Sequence, residues 1–589
     1  MKKSKLLAAL ALSLSLTLTS CSDDEKTSQN SATEKTTVAA PITKQVETSD
    51  LLSYIPAQTP VLFSYVHDGK HPLPQNFKNK MDDMYAALGE MIDTIYLDAI
   101  KKSAPADKAK EIDEFANKWL NAKGLEKMGF NIDEFEMAFY AVDLFPVLRL
   151  NLAKNNDMQA FVDELMAKAN ESKPDTATKN QDGKRTIYQF GDKEAKILVS
   201  LEGQKMVVSF SPTREVDKLM PKLLGFTKPS KSLTQGSQYK QTLAKYNYIP
   251  TGLYWIDMRQ LADYFVNPNN HPTPMLDLLQ VEDGKLSADC KTEILQMFDK
   301  MPRLVGGTTL FDEHVMDSHL ILELTGGLGD KLSGMTGRIP SSPGAHELTY
   351  GFSFDIVGAK KIAMDFVNSV EASPYKCEFF SGINEKVATI KAKINQPLPP
   401  FVSNFKGVNI VINEVQLDMS QTEPKDIVKK LDAQLLLAVD SPQSLLGMAQ
   451  SMMPELQKMG LEVGGKAVNV SKLIPVSGKQ IPINLDNVFM AIGQETIGIS
   501  LGLGSDKALT QTVASQSDKS IFNFDASATM FKNIYASMAT FTGKYMSAEE
   551  KATMEKQNAI SQKMLWWTRQ VGDLTFTDRG LEINANIEY

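Results

Sequence analysis

The sequence predicts an α+β protein made of two tandem related domains, with antiparallel-rich mixed sheets covered by helices. Three observations lead there. β-like runs alternate with amphipathic helical stretches along most of the chain. Several runs join through tight hairpins, at Glu202-Gly203, Asp312-Glu313 and Asp578-Arg579-Gly580, and a hairpin requires antiparallel neighbours. The order of units in the first half recurs in the second. A chain of 589 residues, 42% apolar and 23% charged, can form more than one core and is neither wholly disordered nor a polytopic membrane protein.

The amino terminus is read apart from the fold. Lys2, Lys3 and Lys5 precede the apolar stretch Leu6 to Leu18. A bilayer core of about 30 Å needs about 20 helical residues, so this stretch is too short to span but suits a secretory signal. The next residues, Leu18-Thr19-Ser20-Cys21, resemble the lipobox of bacterial lipoprotein precursors. That resemblance implies cleavage before Cys21, removal of residues 1–20, and acylation of Cys21 at its sulfur and new amino group, so that the membrane becomes a partner through acyl chains. Several chains anchor stably where one binds only marginally. Ser22, in place of Asp, implies by the same family's sorting rule the outer membrane over the inner, facing the periplasm. Residues 21–49 are dominated by Ser, Thr, Glu, Lys, Gln and Asn, a composition that cannot offset its ordering entropy, and read as a tether. Without the signal lysines the chain carries 60 basic against 71 acidic residues, and eight of the basic ones are Arg. No basic, aromatic-interleaved run exists, which argues against nucleic acid as a partner.

The first domain is assigned to 50–325, a Gly/Pro/Ser-rich linker to 326–346 and the second domain to 347–589. The entry Tyr54-Ile55-Pro56-Ala57-Gln58-Thr59-Pro60 resembles the Pro-Ala-x-Thr-Pro start of some uncharacterised bacterial exported proteins, which implies no activity. Four strand-then-polar-cap units line up between the halves. Val61–Val66, Val147–Leu152, Met206–Phe210 and Leu253–Ile256 match Tyr350–Phe354, Leu435–Val439, Thr496–Leu501 and Ile521–Phe524. Turns at Gly203-Gln204 and Gly493-Gln494 precede the third strand of each set. Both halves end on a Val-Gly strand pair, Val305-Gly306 and Val571-Gly572, with one extra residue expected in the first turn. Phe77, Met81, Met84, Leu88, Met91, Ile95 and Ala99 keep a helical period, and Ile112, Phe115, Ala116 and Trp119 continue it to a stop at Gly124. This pair reads as an insertion specific to the first half. Its Met stripe, like Met448, Met452, Met453 and Met459, favours core packing over a surface for hydrophobic cargo.

The chemical motifs dissolve on inspection. Gly498-Ile499-Ser500-Leu501-Gly502 spells a nucleophile elbow, yet Ser500 falls within a strand and no His follows His346. Gly460 to Ala467 nearly spells a P-loop, but Ala467 replaces the Mg²⁺-binding hydroxyl and a helix precedes it. His67, His71, His271, His314, His319 and His346 lack ligand spacing, and His314 and His319 read as turn or exposed strand. Asp257, Asp355, Asp440 and Asp525 follow strands and read as helix caps. Cys290 and Cys377, one from each half, can form a disulfide, while the stripe Leu286, Cys290, Ile294 and Phe298 equally fits a buried thiol.

The sequence therefore designates Cys21 for lipidation and no catalytic residue, cofactor or metal ligand. It points to a lipid-anchored cell-envelope protein with a noncatalytic binding or scaffolding role, whose partner is an envelope protein or a hydrophobic ligand. The alternatives are a periplasmic carrier of lipid or another hydrophobic molecule and, next, an envelope hydrolase whose polar site assembles only in space.

Overall fold

The computed structural model describes residues 49–92, 106–282, 284–344, 346–418, 427–474, 485–542 and 546–589. The signal segment, Cys21 and nearly all of the tether lie outside the described residues, as do Ile95 and Ala99 of the first Met-bearing helix.

The chain is α+β, built among the described residues on one sheet of nineteen strands. In the first half these are β1 (Val61–Tyr65), β2 (Glu136–Val142), β3 (Phe145–Asn151), β4 (Ala177–Asp182), β5 (Arg185–Gly191), β6 (Ala195–Glu202), β7 (Lys205–Pro212), β8 (Gly252–Asp257), β9 (Arg303–Phe311) and β10 (Val315–Glu323). The second half has β12 (Leu348–Ser353), β13 (Phe405–Leu417), β14 (Val428–Val439), β15 (Val468–Asn469), β16 (Val488–Ile492), β17 (Thr496–Leu501), β19 (Phe522–Ser527), β20 (Arg569–Phe576) and β21 (Gly580–Glu588). A separate two-stranded ladder joins β11 (Ile339–Pro340) to β18 (Ser517–Asp518).

Side by side, the first half runs β4-β5-β6-β7-β3-β2-β1-β8-β9-β10. The second continues directly as β21-β20-β19-β12-β13-β14-β17-β16-β15. Every ladder among these strands is antiparallel. The two orders mirror each other about the β10–β21 ladder, where two equivalent edge strands pair in antiparallel register. The halves thus share one sheet rather than each closing its own.

The repeat holds residue by residue. One row of paired positions reads Val199, Val208, Leu148, Phe139, Phe63, Tyr254, Gly306 in the first half. Its counterpart reads Met490, Ile499, Leu435, Ile410, Tyr350, Phe524, Gly572. The extra residue of the first half is not in the turn. It is a bulge at Thr309 on β9, because Asp317 faces Leu310 while Ser318 faces Thr308. The turn residue equivalent to Asp312 is consequently Thr577. Each accepts a backbone N–H two residues on, from His314 and Arg579 respectively.

Strand alternation gives the sheet two faces. The front face carries His319 and Asn584, and in the first half it buries Leu62, Tyr140, Val147, Trp255, Val305 and Ile321 under the turn Asp50–Tyr54 and the helices Val216–Leu223 and Ser237–Tyr246. The back face of the same half carries Met137, Leu148, Leu150 and Val199 against Phe115 and Trp119 of the helix Ala106–Trp119 and Met158 and Val162 of the helix Met158–Ser172. Phe77 and Met81 of the helix Gln75–Met91 are buried there too, beside Tyr65, Phe311, Met316 and Tyr589.

Several local expectations are corrected. Gly124 does not stop a helix; it lies inside the short helix Ala122–Lys127, where a Cβ would sit 2.4 Å from the Trp119 carbonyl oxygen. Within the segment assigned as linker lie the helix Leu328–Ser333 and β11, and a Cβ at Gly337 would sit 1.9 Å from the Lys406 carbonyl oxygen. The first-half helical pair is no insertion either. The same connection in the second half, between β12 and β13, holds the helices Ile356–Ala372 and Ser381–Ile394. Asp257 and Asp355 cap helices as expected, accepting from Gln260 N–H and from Val357 and Gly358 N–H. Asp525 instead pairs with Arg569, and Asp440 with Lys406 and Arg338.

Candidate functional site

The second half leaves exposed a part of the back face whose first-half counterpart is less exposed. By register, Tyr350, Phe352, Ile410 and Leu435 are the counterparts of Phe63, Tyr65, Phe139 and Leu148 on the back face. Tyr65 and Leu148 pack against helices, whereas Tyr350 is 50% exposed, and Phe352 and Ile410 are 45% exposed each. The reason is where the helical pair goes. Helices Ile356–Ala372 and Ser381–Ile394 pack on each other through Val367, Val370 and Val387. Cys377, between them, forms a disulfide with Cys290 on the first-half helix Ala288–Lys300, and Glu293 of that helix accepts from the Lys376 and Cys377 N–H groups. The pair is thereby drawn toward the first half, with Phe366, Phe379 and Ile390 exposed on it.

What remains is an apolar trough of about 460 Å³ lined by Phe354, Ile356, Phe401, Phe405, Leu437 and Ile497, among others. Beside it runs the helix Pro442–Met452, whose Met448 and Met452 face solvent, Met452 at 77% exposure, contrary to the expected core packing. Helical spacing alone could not distinguish these Met residues from the buried Met81, because period reports a common face and not what covers it.

A second depression lies on the front face at the β10–β21 ladder. It is polar, about 670 Å³, and its lining includes Asp317, Arg569, Asp573, Asn584, Asn586 and Glu588, with His319, Tyr246 and Arg579 at its first-half side. Amide and carboxylate are paired across strands, Asn584 Nδ2 donating to Asp573 (3.0 Å) and Asn586 Nδ2 to Asp317 (2.7 Å). Burial pushes the Asp317 carboxyl above its ordinary value. His319 is buried, not the exposed strand residue expected. Its Nδ1 lies 2.6 Å from the Tyr248 hydroxyl and its Nε2 3.0 Å from Glu582 Oε2. Burial works against the Glu582 carboxylate, but bonds from His319, Arg579 and Thr577 outweigh it and hold its pKa at about 2. An ionised Glu582 can only accept, so His319 Nε2 carries a hydrogen and donates to it. Burial also pushes the Tyr248 hydroxyl up, which keeps it a donor at neutral pH. Beside this chain Glu323, held at about 2 against burial by Arg303, Lys245 and Tyr246, forms a bidentate pair with Arg303 (2.8 and 2.9 Å).

The decoy motifs sit as the sequence suggests. Ser500 lies within β17, bonded to Ser505 (2.8 Å), and Gly460, at φ +70°, follows a helix end. Cys290, Cys377 and Glu378 come within metal-ligand distance of one another, but the two sulfurs are joined. Among the described residues no helix is long and apolar enough to cross a membrane. Sequence reasoning missed both depressions, although the Arg shared by Arg303-Leu304-Val305-Gly306 and Arg569-Gln570-Val571-Gly572 marked the equivalent rims of the polar one. Comparison of the chain with protein-family models, with curated proteins and with solved structures finds no match.

Proposed function

We propose that this chain is an exported cell-envelope protein, anchored through acyl chains on Cys21 with the outer membrane favoured over the inner, and that it serves a noncatalytic binding role through its second half. The observation that carries the reading is the exposed apolar back face of β12 to β14, whose first-half counterparts are less exposed and include Tyr65 and Leu148 packed against helices. Contiguous exposed apolar surface on a folded chain marks a place where something binds. The trough is walled by carbon-rich side chains on the sheet and flanking helices, which favours the carrier form of the reading, with a lipid acyl chain as occupant. Engagement of both His319 ring nitrogens supports binding over general-base chemistry in the polar groove.

The test is native mass spectrometry of the full chain extracted from its envelope in mild detergent. A lipid-sized mass that leaves on denaturation and is missing from the Phe354→Asp/Phe401→Asp variant, changed at two exposed residues of the trough wall, is the expected result. A wild-type chain carrying no such mass overturns the carrier reading. The covalent anchor is read separately, as acyl mass on the peptide beginning at Cys21, which the Cys21→Ser variant should lack.

A further inference from the structure

The polar groove has a filled twin. The ladder register makes Asn584 the counterpart of His319, Asp573 of Gly307, Asn586 of Ile321, Arg569 of Arg303 and Glu588 of Glu323. On the first-half side, two tyrosine rings occupy the space above these positions. Tyr248 lies over Gly307, where a Cβ would come within 2.8 Å of its ring, and its hydroxyl bonds His319. The Tyr246 ring lies tilted against that of Tyr248, centroids 5.3 Å apart, and its hydroxyl donates to Glu323. The corresponding second-half segment, Val513 to Ile521, contains no aromatic residue. The same floor is therefore left open there, as the cavity of about 670 Å³.

We propose that this groove binds a neutral saccharide, whose hydroxyl-bearing rings take the place that Tyr246 and Tyr248 fill in the twin. The filled copy shows what the floor accepts: rings presenting hydroxyls to the position of His319 and to the carboxylate of an Arg–Glu pair. In the open copy those positions are Asn584 and Glu588, the latter cross-strand from Arg569. Asn584 and Asn586 each donate to a carboxylate neighbour and keep an amide oxygen as acceptor. Asp317, whose carboxyl burial already disfavours as an anion, argues against an anionic ligand. Arg569 and Arg579 are matched by Asp525 and Glu582, so they do not add an uncompensated positive charge. Hydroxyl groups, which donate and accept, suit this mixture of amides, carboxylates and guanidinium edges.

The groove and the apolar trough occupy opposite faces of the sheet, so the two sites are tested independently. Calorimetric titration of the full chain with chitotetraose, maltotetraose and spermidine decides the matter. Saturable binding of either saccharide with a Kd below about 1 mM is expected. Asn584→Ala/Asn586→Ala should weaken it at least about tenfold, and Glu588→Gln, a change at an exposed carboxylate, should weaken it several-fold with an unchanged melting midpoint. Phe354→Asp/Phe401→Asp, which tests the trough, should leave it intact. Absence of binding by both saccharides, binding of spermidine alone, or affinity unmoved by the groove substitutions overturns the proposal.

Discussion

Acid should loosen the junction between β10 and β21, and the size of the effect follows from two carboxylates. Glu323 and Glu582 stand on adjoining parts of that ladder with side chains 7% and 4% exposed. Each is held at about 2, against an ordinary 4.5, by partners that outweigh burial. A folded-state pKa below the unfolded one means stabilisation that is complete above about pH 4.5 and disappears as the pH falls toward 2. The full displacement corresponds to about 3 kcal/mol per group. Lys245 and Arg579 are about half exposed, and solvent screens their share, so about 2 kcal/mol each, or about 4 kcal/mol together, is the working value. Urea unfolding of the wild type and of Glu323→Gln/Glu582→Gln, followed from pH 7 down to pH 2, reads it directly. The variant should be weaker at pH 7 by about this amount, and the gap should close between pH 4.5 and pH 2. A gap of constant size across that window would refute the assignment of these carboxylates as the acid-sensitive contacts.

Two further changes probe the junction and the linker. The Cys290–Cys377 disulfide closes a loop with a sequence separation of 87, which limits the unfolded chain by about 4–5 kcal/mol in the loop-entropy treatment, so Cys290→Ser/Cys377→Ser should lose about 2–5 kcal/mol in urea unfolding; a loss under about 1 kcal/mol would show that the helical pair is held by other contacts. Gly337→Ala drives a methyl into the Lys406 carbonyl oxygen and the Phe354 backbone nitrogen, at 1.9 and 2.8 Å, and should cost about 3 kcal/mol, whereas a neutral melting temperature would mean that this segment yields freely.

The strands that sequence reading located are those whose apolar runs end in hairpins or caps. Val61–Tyr65, Lys205–Pro212 and Thr496–Leu501 were legible for that reason, as was the turn at Gly203, with φ +61°. Their repetition in order was legible too. The continuity of the sheet was not, because the β10–β21 ladder pairs residues more than 250 positions apart and nothing local in either strand specifies its partner. His319 was misplaced for a related reason. Alternation says that it shares a face with Asp317 and Ile321, but its burial comes from Tyr248 on one side and Glu582 on the other. Asp525 reads like Asp355 in sequence and differs in role only because Arg569 stands beside it on the next strand. Both depressions were invisible for a further reason: each is defined by something missing above the sheet, a helical pair or two tyrosines, and absence over a surface leaves no periodic trace.

The mirrored ladder at the centre of the sheet has the form of an isologous interface, the kind by which two copies of one polypeptide associate about a two-fold axis. Between identical chains the residue on that axis must meet itself, and any substitution is imposed on both sides at once. Joined in a single chain, the two sides escape that obligation, and His319 meets Asn584. One repeat can then devote its surfaces to packing while the other keeps the equivalent surfaces open, a division of labour that a symmetric pair could not adopt.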